Sequence, residues 1–248
     1  MLNSDSLLGI RGVVKKPLMA ERKSEMYGPQ ILVEYDRGEK SSGRVTIELC
    51  PPKNEAEVVK MFTGWLNDPR VVLYMSRILS CSESGEAEWI RSQNDKKEDL
   101  VWMIYVGGKL IGSVGLHRID FSNKKAELGI NIGDKAFWGR GVAQVVEACV
   151  LEYAFENVIA GGLNKVFAGV LEGNTASRAA LEKLGFRTIG TKKKEFWTQG
   201  RWFDTWEGEI LQEEWRKVRV ERLAQVGIKK LNLYPGCEEE GFKPVEIE

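Results

Sequence analysis

Lys125-Ala126-Glu127-Leu128-Gly129-Ile130-Asn131-Ile132 and, a short connector later, Phe137-Trp138-Gly139-Arg140-Gly141-Val142-Ala143 are the residues on which the fold turns. In the first piece Ala126, Leu128, Ile130 and Ile132 share one face, and Glu127, Gly129 and Asn131 share the other. A period of two with one apolar face predicts a strand whose second face is free to work. After Gly141 the period changes, because Val142, Val146, Cys149 and Tyr153 recur at spacings of four, three and four. That spacing predicts a long helix. A Gly-Arg-Gly turn between strand and helix lets successive backbone N–H groups converge on an anion, and the helix start adds unsatisfied donors and a favourable dipole. A pyrophosphate suits such a nest, although the same residues also read as a tight turn before a helix.

Working upstream, Leu100 to Val106, Gly107-Gly108 and Leu110 to Ile119 predict a β-hairpin, since paired glycines supply the positive φ values of a tight turn. Thr46 to Cys50 reads as a strand ended by Pro51-Pro52. Asn54 with Glu57 fits a capping box for a helix toward Trp65, and Ser84 or its neighbours start another over Glu86 to Gln93. Downstream, Lys165 to Val170 is a strand and Thr175 to Leu184 a helix. Phe186 to Lys194 and Arg201 to Leu211 form a terminal hairpin across Thr198-Gln199-Gly200. This order predicts an α/β fold with a mixed sheet, and it differs from a doubly wound nucleotide fold.

The expected organisation is an N-terminal extension over residues 1–43, a main domain over 44–212 and a C-terminal extension over 213–248. Ile31 to Tyr35 is a candidate short strand within the first. The tail from Glu213 is basic and partly amphipathic, and reads either as a helix covering the domain or as a partner-binding element, with a homodimer one form of the latter.

The 36 Lys+Arg and 36 Asp+Glu give no net charge, so no global field draws the chain to nucleic acid or an anionic membrane. With no apolar run of membrane-spanning length and no basic leader, a cytoplasmic setting is the default expectation. Cys50, Cys81, Cys149 and Cys237 are far apart and His117 is the single histidine, so free thiols and no metal are expected.

Four pieces in order carry a family resemblance: Ala126-Glu127-Leu128-Gly129, Phe137 to Ala143, Asn174 with Ser177, and Glu182-Lys183-Leu184-Gly185-Phe186. On these the chain resembles the GNAT (GCN5-related) N-acetyltransferases over about residues 45 to 212, within the branch that includes ribosomal-protein N-terminal acetyltransferases. The resemblance implies the GNAT fold: a mixed, mostly antiparallel sheet flanked by helices, with a splayed central parallel strand pair. It also implies acetyl-CoA as acyl donor and an amine acceptor, whether a protein amino terminus, an amino sugar or another small molecule. The pyrophosphate would fall on the backbone of Gly139, Arg140, Gly141, Val142 and Ala143. The pantetheine arm would lie along Leu128 to Ile132, with Ile130, Asn131 and Ile132 as contacts, and along Val166 to Val170. Asn174 and Ser177 would complete the cofactor site.

Two departures from the family pattern matter. Trp138 stands where the loop often opens with Gln or Arg, and Leu181 stands where the family often carries a tyrosine general acid. An alkylammonium must lose a proton before it attacks a thioester, which requires a nearby base. Glu127 is the first candidate, with substrate anchor and plain solvated residue as its other readings. His117 is a candidate catalytic or substrate-contacting residue, or a structural one. A strand N–H near Asn131 would receive charge from the thioester oxygen, and Ser177 is a candidate proton donor to the leaving thiolate. Trp197, Trp202, Phe203 and Trp206 either fill the final hairpin or line an acceptor pocket. Lys192-Lys193-Lys194 is a solvated strand end, or else meets an acidic acceptor or the adenosine phosphate. Acceptor identity is expected to reside in residues 67 to 98 and 192 to 204. The competing functional class is a coenzyme A-binding sensor or assembly module with little turnover.

Overall fold

In chain order the elements are β1 (Ile31–Asp36), β2 (Arg44–Cys50), α1 (Ala56–Leu66), α2 (Glu83–Gln93), β3 (Leu100–Val106), β4 (Lys109–Asp120), β5 (Lys125–Ile132), α3 (Val142–Glu156), β6 (Lys165–Leu171), α4 (Thr175–Leu184), β7 (Arg187–Thr198), β8 (Arg201–Leu211), α5 (Gln212–Gln225), β9 (Ile228–Asn232) and β10 (Val245–Glu246). They come from a computed structural model that describes residues 30–36, 44–75, 80–233 and 244–247. Cys237 and the polar run at 39–43 lie outside these residues. The strands form one sheet in the order β10-β9-β1-β2-β3-β4-β5-β6-β8-β7. Every neighbouring pair is antiparallel except β5 and β6. This is the mixed sheet that the element order predicts, in the mostly antiparallel, helix-flanked form that the family resemblance implies.

Alternation along β3 separates two cores. Leu100, Trp102 and Ile104 enter the large cluster that holds α3, α4 and α5, whereas Met103 enters a smaller one with Val58, Val59 and Phe62 of α1 and Ile90 of α2. Successive side chains point to opposite faces, so α1 and α2 cover one face and α3 to α5 the other. The face under α1 and α2 is the one that carries Glu127, Gly129 and Asn131.

Local signals place several elements as read. Gly107 and Gly108 have φ of +57° and +77°, and Gln199 and Gly200 have +53° and +74°, so both hairpins close through two-residue left-handed turns. The expected capping box at Asn54 does not form. The first helical bond of α1 runs from Val59 N–H to the Glu55 carbonyl, which makes Glu55 the cap, and it has no side-chain cap hydrogen bond. Glu57 is then one residue too early to reach back. In α2 the cap is Ser82, whose hydroxyl accepts from Gly85 N–H at 3.1 Å.

The sheet continues past residues 44 and 212. β1 pairs with β2 over Ile31↔Leu49 to Asp36↔Arg44, β9 covers the other edge of β1, and β10 covers β9. Between β8 and β9, α5 lies on α3. Trp215 is 0% exposed and donates to Glu152 at 2.9 Å, and Arg219 pairs with the same carboxylate at 3.1 Å. The tail helix therefore covers the domain. At the opposite end β7 is an edge strand, blunted by its lysines and by a register shift between Lys192 and Phe196. Lys192 reaches Glu207 at 3.0 Å and Lys193 reaches Asp204 at 2.7 Å, so two of the three lysines pair with carboxylates of β8.

Candidate active site

The parallel pair at the centre of the sheet is short. β5 and β6 are in register only at Lys125↔Lys165, Ala126↔Val166 and Glu127↔Phe167, yet both strands continue, to Ile132 and Leu171. Each is held on its far side, β5 by β4 and β6 by β8. The splay therefore leaves their facing edges without a ladder beyond Glu127 and Phe167. Unpaired strand edges are hydrogen-bonding surfaces for an extended ligand.

Past the open end of β5, Trp138 donates its Nε1–H to the carbonyl of Ile132 at 2.7 Å and ties the loop to the strand. The tryptophan that departs from the family pattern thus has a structural task. Asp134 accepts from Ala136 N–H at 2.9 Å and pairs with Lys109 at 2.6 Å. Burial works against its ionisation, but these partners hold its carboxyl below the usual range. Gly139 and Gly141 have φ of +68° and +76°, and Gly141 caps α3 without a side-chain cap. Alternating left-handed glycines before an uncapped helix start make an anion nest. Val142 is buried in the core, so only its backbone is offered to a ligand, whereas Arg140 is exposed. The geometry fits a pyrophosphate.

Gly141 allows a direct test. A β-carbon there would meet nothing within 4 Å, so a substitution acts through backbone conformation. A β-branched residue at positive φ is strained by about 1–2 kcal/mol, which the loop relieves by leaving the nest. Gly141→Val is expected to weaken acetyl-CoA by about tenfold or more with a small change in melting temperature. Unchanged affinity by calorimetry in the folded variant would remove the loop from the binding site.

On the α1–α2 face of β4 and β5 lies a cavity of about 330 Å³, lined by Phe62, Leu66, Met75, Glu86, Trp89, Val101, Ser113 to Gly115, His117 and Gly129 to Asn131. It thus touches the splayed part of β5. His117 and Glu127 are direct cross-strand partners on this face. His117 lines the cavity; Glu127 does not, and its carboxylate is paired with Arg118. His117 Nδ1 is 3.6 Å from Asp99 Oδ1. Burial works against ionisation of Asp99, but the Arg118 N–H, Lys96 and His117 outweigh it and hold the carboxyl below the usual range.

The other predicted residues divide. Ile130 and Asn131 line the cavity, and Ile132 ends the strand. The Asn174 side chain caps α4 by accepting from Ser177 N–H at 3.3 Å, which gives both residues a structural reason to be there. Leu181 is buried in the core. Trp197, Trp202, Phe203 and Trp206 are absent from the cavity lining. Trp206 is buried and donates to Thr188 at 2.9 Å, while Trp197 and Trp202 pack edge to face on the surface with centroids 5.4 Å apart. The hairpin tip still meets the segment at Leu73, within the other stretch expected to carry acceptor identity, because Gln199 donates to the Leu73 carbonyl at 2.8 Å. Asp99, Phe62, Glu86 and Trp89 were not singled out from sequence, where they look like ordinary loop and helix residues. Among the described residues no group of three or more His, Cys, Asp or Glu side chains is placed to hold a metal, and no helix is long and apolar enough to cross a membrane.

Comparison with known proteins adds the family. A profile described as "Acetyltransferase (GNAT) domain" matches residues 46–187. The chain is 28% identical over 182 residues to YdaF of Bacillus subtilis (strain 168), provisionally named a ribosomal N-acetyltransferase; the match spans 71% of this chain and 96% of YdaF. It is 26% identical over 175 residues to p20 of Bacillus licheniformis, an uncharacterized N-acetyltransferase, covering 68% of this chain and 96% of p20. Among solved structures, the spermidine N-acetyltransferase of Vibrio cholerae in complex with CoA and spermine superposes with a TM-score of 0.61 at 22% identity, over 69% of this chain and 98% of that one. That likeness is one of fold.

Proposed function

The chain belongs to the acetyltransferase (GNAT) family, and on that premise we propose that it transfers an acetyl group from acetyl-CoA directly to a primary amine. The observation that carries the proposal is the splay of β5 from β6, with the cavity at His117 touching the splayed part of β5 and the glycine nest at Gly139 and Gly141 following the end of that strand in the chain. Bound acetyl-CoA would supply the activated thioester from which the amine takes its acetyl group as the carbon–sulfur bond breaks. The nest and the first N–H groups of α3 would hold the pyrophosphate, and the open edges of β5 and β6 would hold the pantetheine arm. A backbone N–H near Asn131 would receive the charge that builds on the carbonyl oxygen.

His117 takes the proton from the acceptor ammonium. Its position in the cavity wall supports this role, and the pairing of Glu127 with Arg118 supports a neighbouring, charge-balancing role for that residue. With Leu181 in the core, the Ser177 hydroxyl or a water would protonate the leaving thiolate. A thiolate is a good enough leaving group for this to suffice.

The likeness to YdaF supports a protein amino terminus as acceptor. Incubation with acetyl-CoA and a panel of peptide amino termini, amino sugars and polyamines, read by mass spectrometry and thiol release, tests the proposal. One panel member should be acetylated with multiple turnovers. Tight acetyl-CoA binding with no transfer to any of them would favour the sensor or assembly module.

A further inference from the structure

We propose that Asp99 and the glycine pair Gly115 and Gly129 are positioning residues that seat the His117 imidazole with Nε2 turned into the cavity. The inference rests on the reading of His117 as the proton acceptor and adds what orients it. Gly115 and Gly129 face each other across β4 and β5, immediately beside the His117–Glu127 pair. A β-carbon on Gly115 would stand 2.7 Å from His117 Nε2 and 2.9 Å from Cε1, and one on Gly129 would stand 3.3 Å from Cδ2 and 3.5 Å from Nε2. The ring therefore lies over both glycines, in space that any side chain at 115 would take. The glycine of the Glu127-Leu128-Gly129 motif gains a physical reason from this, as one half of a floor for the imidazole.

The other edge of the ring faces Asp99. The same oxygen that lies 3.6 Å from Nδ1 accepts the Arg118 N–H at 3.0 Å. Arg118 has φ of +51°, at the point where the β4–β5 register slips between His117 and Asp120. A bulge re-aims the side chains beside it. Asp99 thus fastens the bulge and faces the imidazole it has re-aimed. A carboxylate on the Nδ1 side favours the tautomer with its proton on Nδ1, which leaves the lone pair on Nε2 for the incoming proton. The charged groups around the ring are Asp99, Glu127 paired with Arg118, Lys96 at 3.2 Å from Asp99, and Glu86 of α2 in the cavity wall.

Asp99→Asn keeps the shape and removes the charge. In the full-length protein with acetyl-CoA and the acceptor found above, it is expected to lower kcat by about 10- to 100-fold, within the range of general-base effects. Acetyl-CoA affinity should stay within a factor of about two, and Asp99→Glu should recover part of the rate. Gly115→Ala is expected to lower kcat in the same way by displacing the ring. Because His117 is the single histidine, its nitrogen-15 NMR signals report the tautomer without assignment, and the Nδ1–H form should dominate only in the wild type. A folded Asp99→Asn protein with wild-type kcat and tautomer would overturn the proposal. If His117→Gln is inactive while Asp99→Asn is not, the positioning role alone is lost. If His117→Gln turns over normally, the base assignment falls and this inference falls with it.

Discussion

Replacing His117 by glutamine is expected to lower kcat by about 10²-fold or more at neutral pH, the usual scale for loss of a general base, while acetyl-CoA affinity stays nearly constant. Glutamine keeps a polar side chain of similar reach but cannot take the proton from an ammonium. The loss should shrink at alkaline pH, where the acceptor arrives already deprotonated. Glu127→Gln is the comparison that decides between the two candidates. Glu127 stands across from His117 but is paired with Arg118 and does not line the cavity, so its loss should be smaller and less dependent on pH. The measurement is kcat and kcat/KM against pH for both variants, with fold and cofactor affinity checked separately. A large, alkaline-rescued loss in Glu127→Gln beside a near-normal His117→Gln would return the proton to Glu127.

The second large effect concerns stability. Glu147 of α3 is 2% exposed, and its Oε2 has no hydrogen-bond partner among the described residues. Burial pushes its carboxyl up to about 8. Because the folded protein holds this proton more tightly than the unfolded chain, the folded state is favoured most below the ordinary glutamate range. The contribution is lost as pH rises from about 4.5 toward 8, and it changes little above that. At about 1.4 kcal/mol per pH unit, the full span is of the order of 5 kcal/mol. Glu147→Gln is therefore expected to be more stable than the wild type at pH 8, by an amount that shrinks toward pH 5. Urea unfolding at several pH values reads the difference. A constant offset between the two proteins across that range would show that Glu147 does not carry the proton. Glu152 on the same helix serves as a contrast, since burial raises its carboxyl too but Arg219 and the Trp215 N–H oppose the rise.

The sequence by itself determined the elements whose limits depend on neighbouring residues. β5 ends where its alternation ends, α4 runs from its Asn174 cap to the left-handed Gly185, and both hairpins turn at their glycines. The glycine nest was legible for the same reason, since a strand, a Gly-x-Gly turn and a helix start form a local pattern. Tertiary structure decided what depends on residues far apart in the chain. Val33 pairs with Leu231, so the two ends meet in one sheet, and no local period announces which edge a strand will find. The α1 cap moved from Asn54 to Glu55 because packing of Val58, Val59 and Phe62 fixed the helix, with the cap residue following. Glu147 is buried because α3 packs against α4 and α5 as well as β4, β5 and β6. Sequence put Glu127 ahead of His117 as candidate base without showing the surroundings of either, because a two-residue period gives the face of a side chain but not its neighbours. The bulge at Arg118, the Asp99 carboxylate and the Gly115–Gly129 floor supply those neighbours, and all three arise only when β3, β4 and β5 come together.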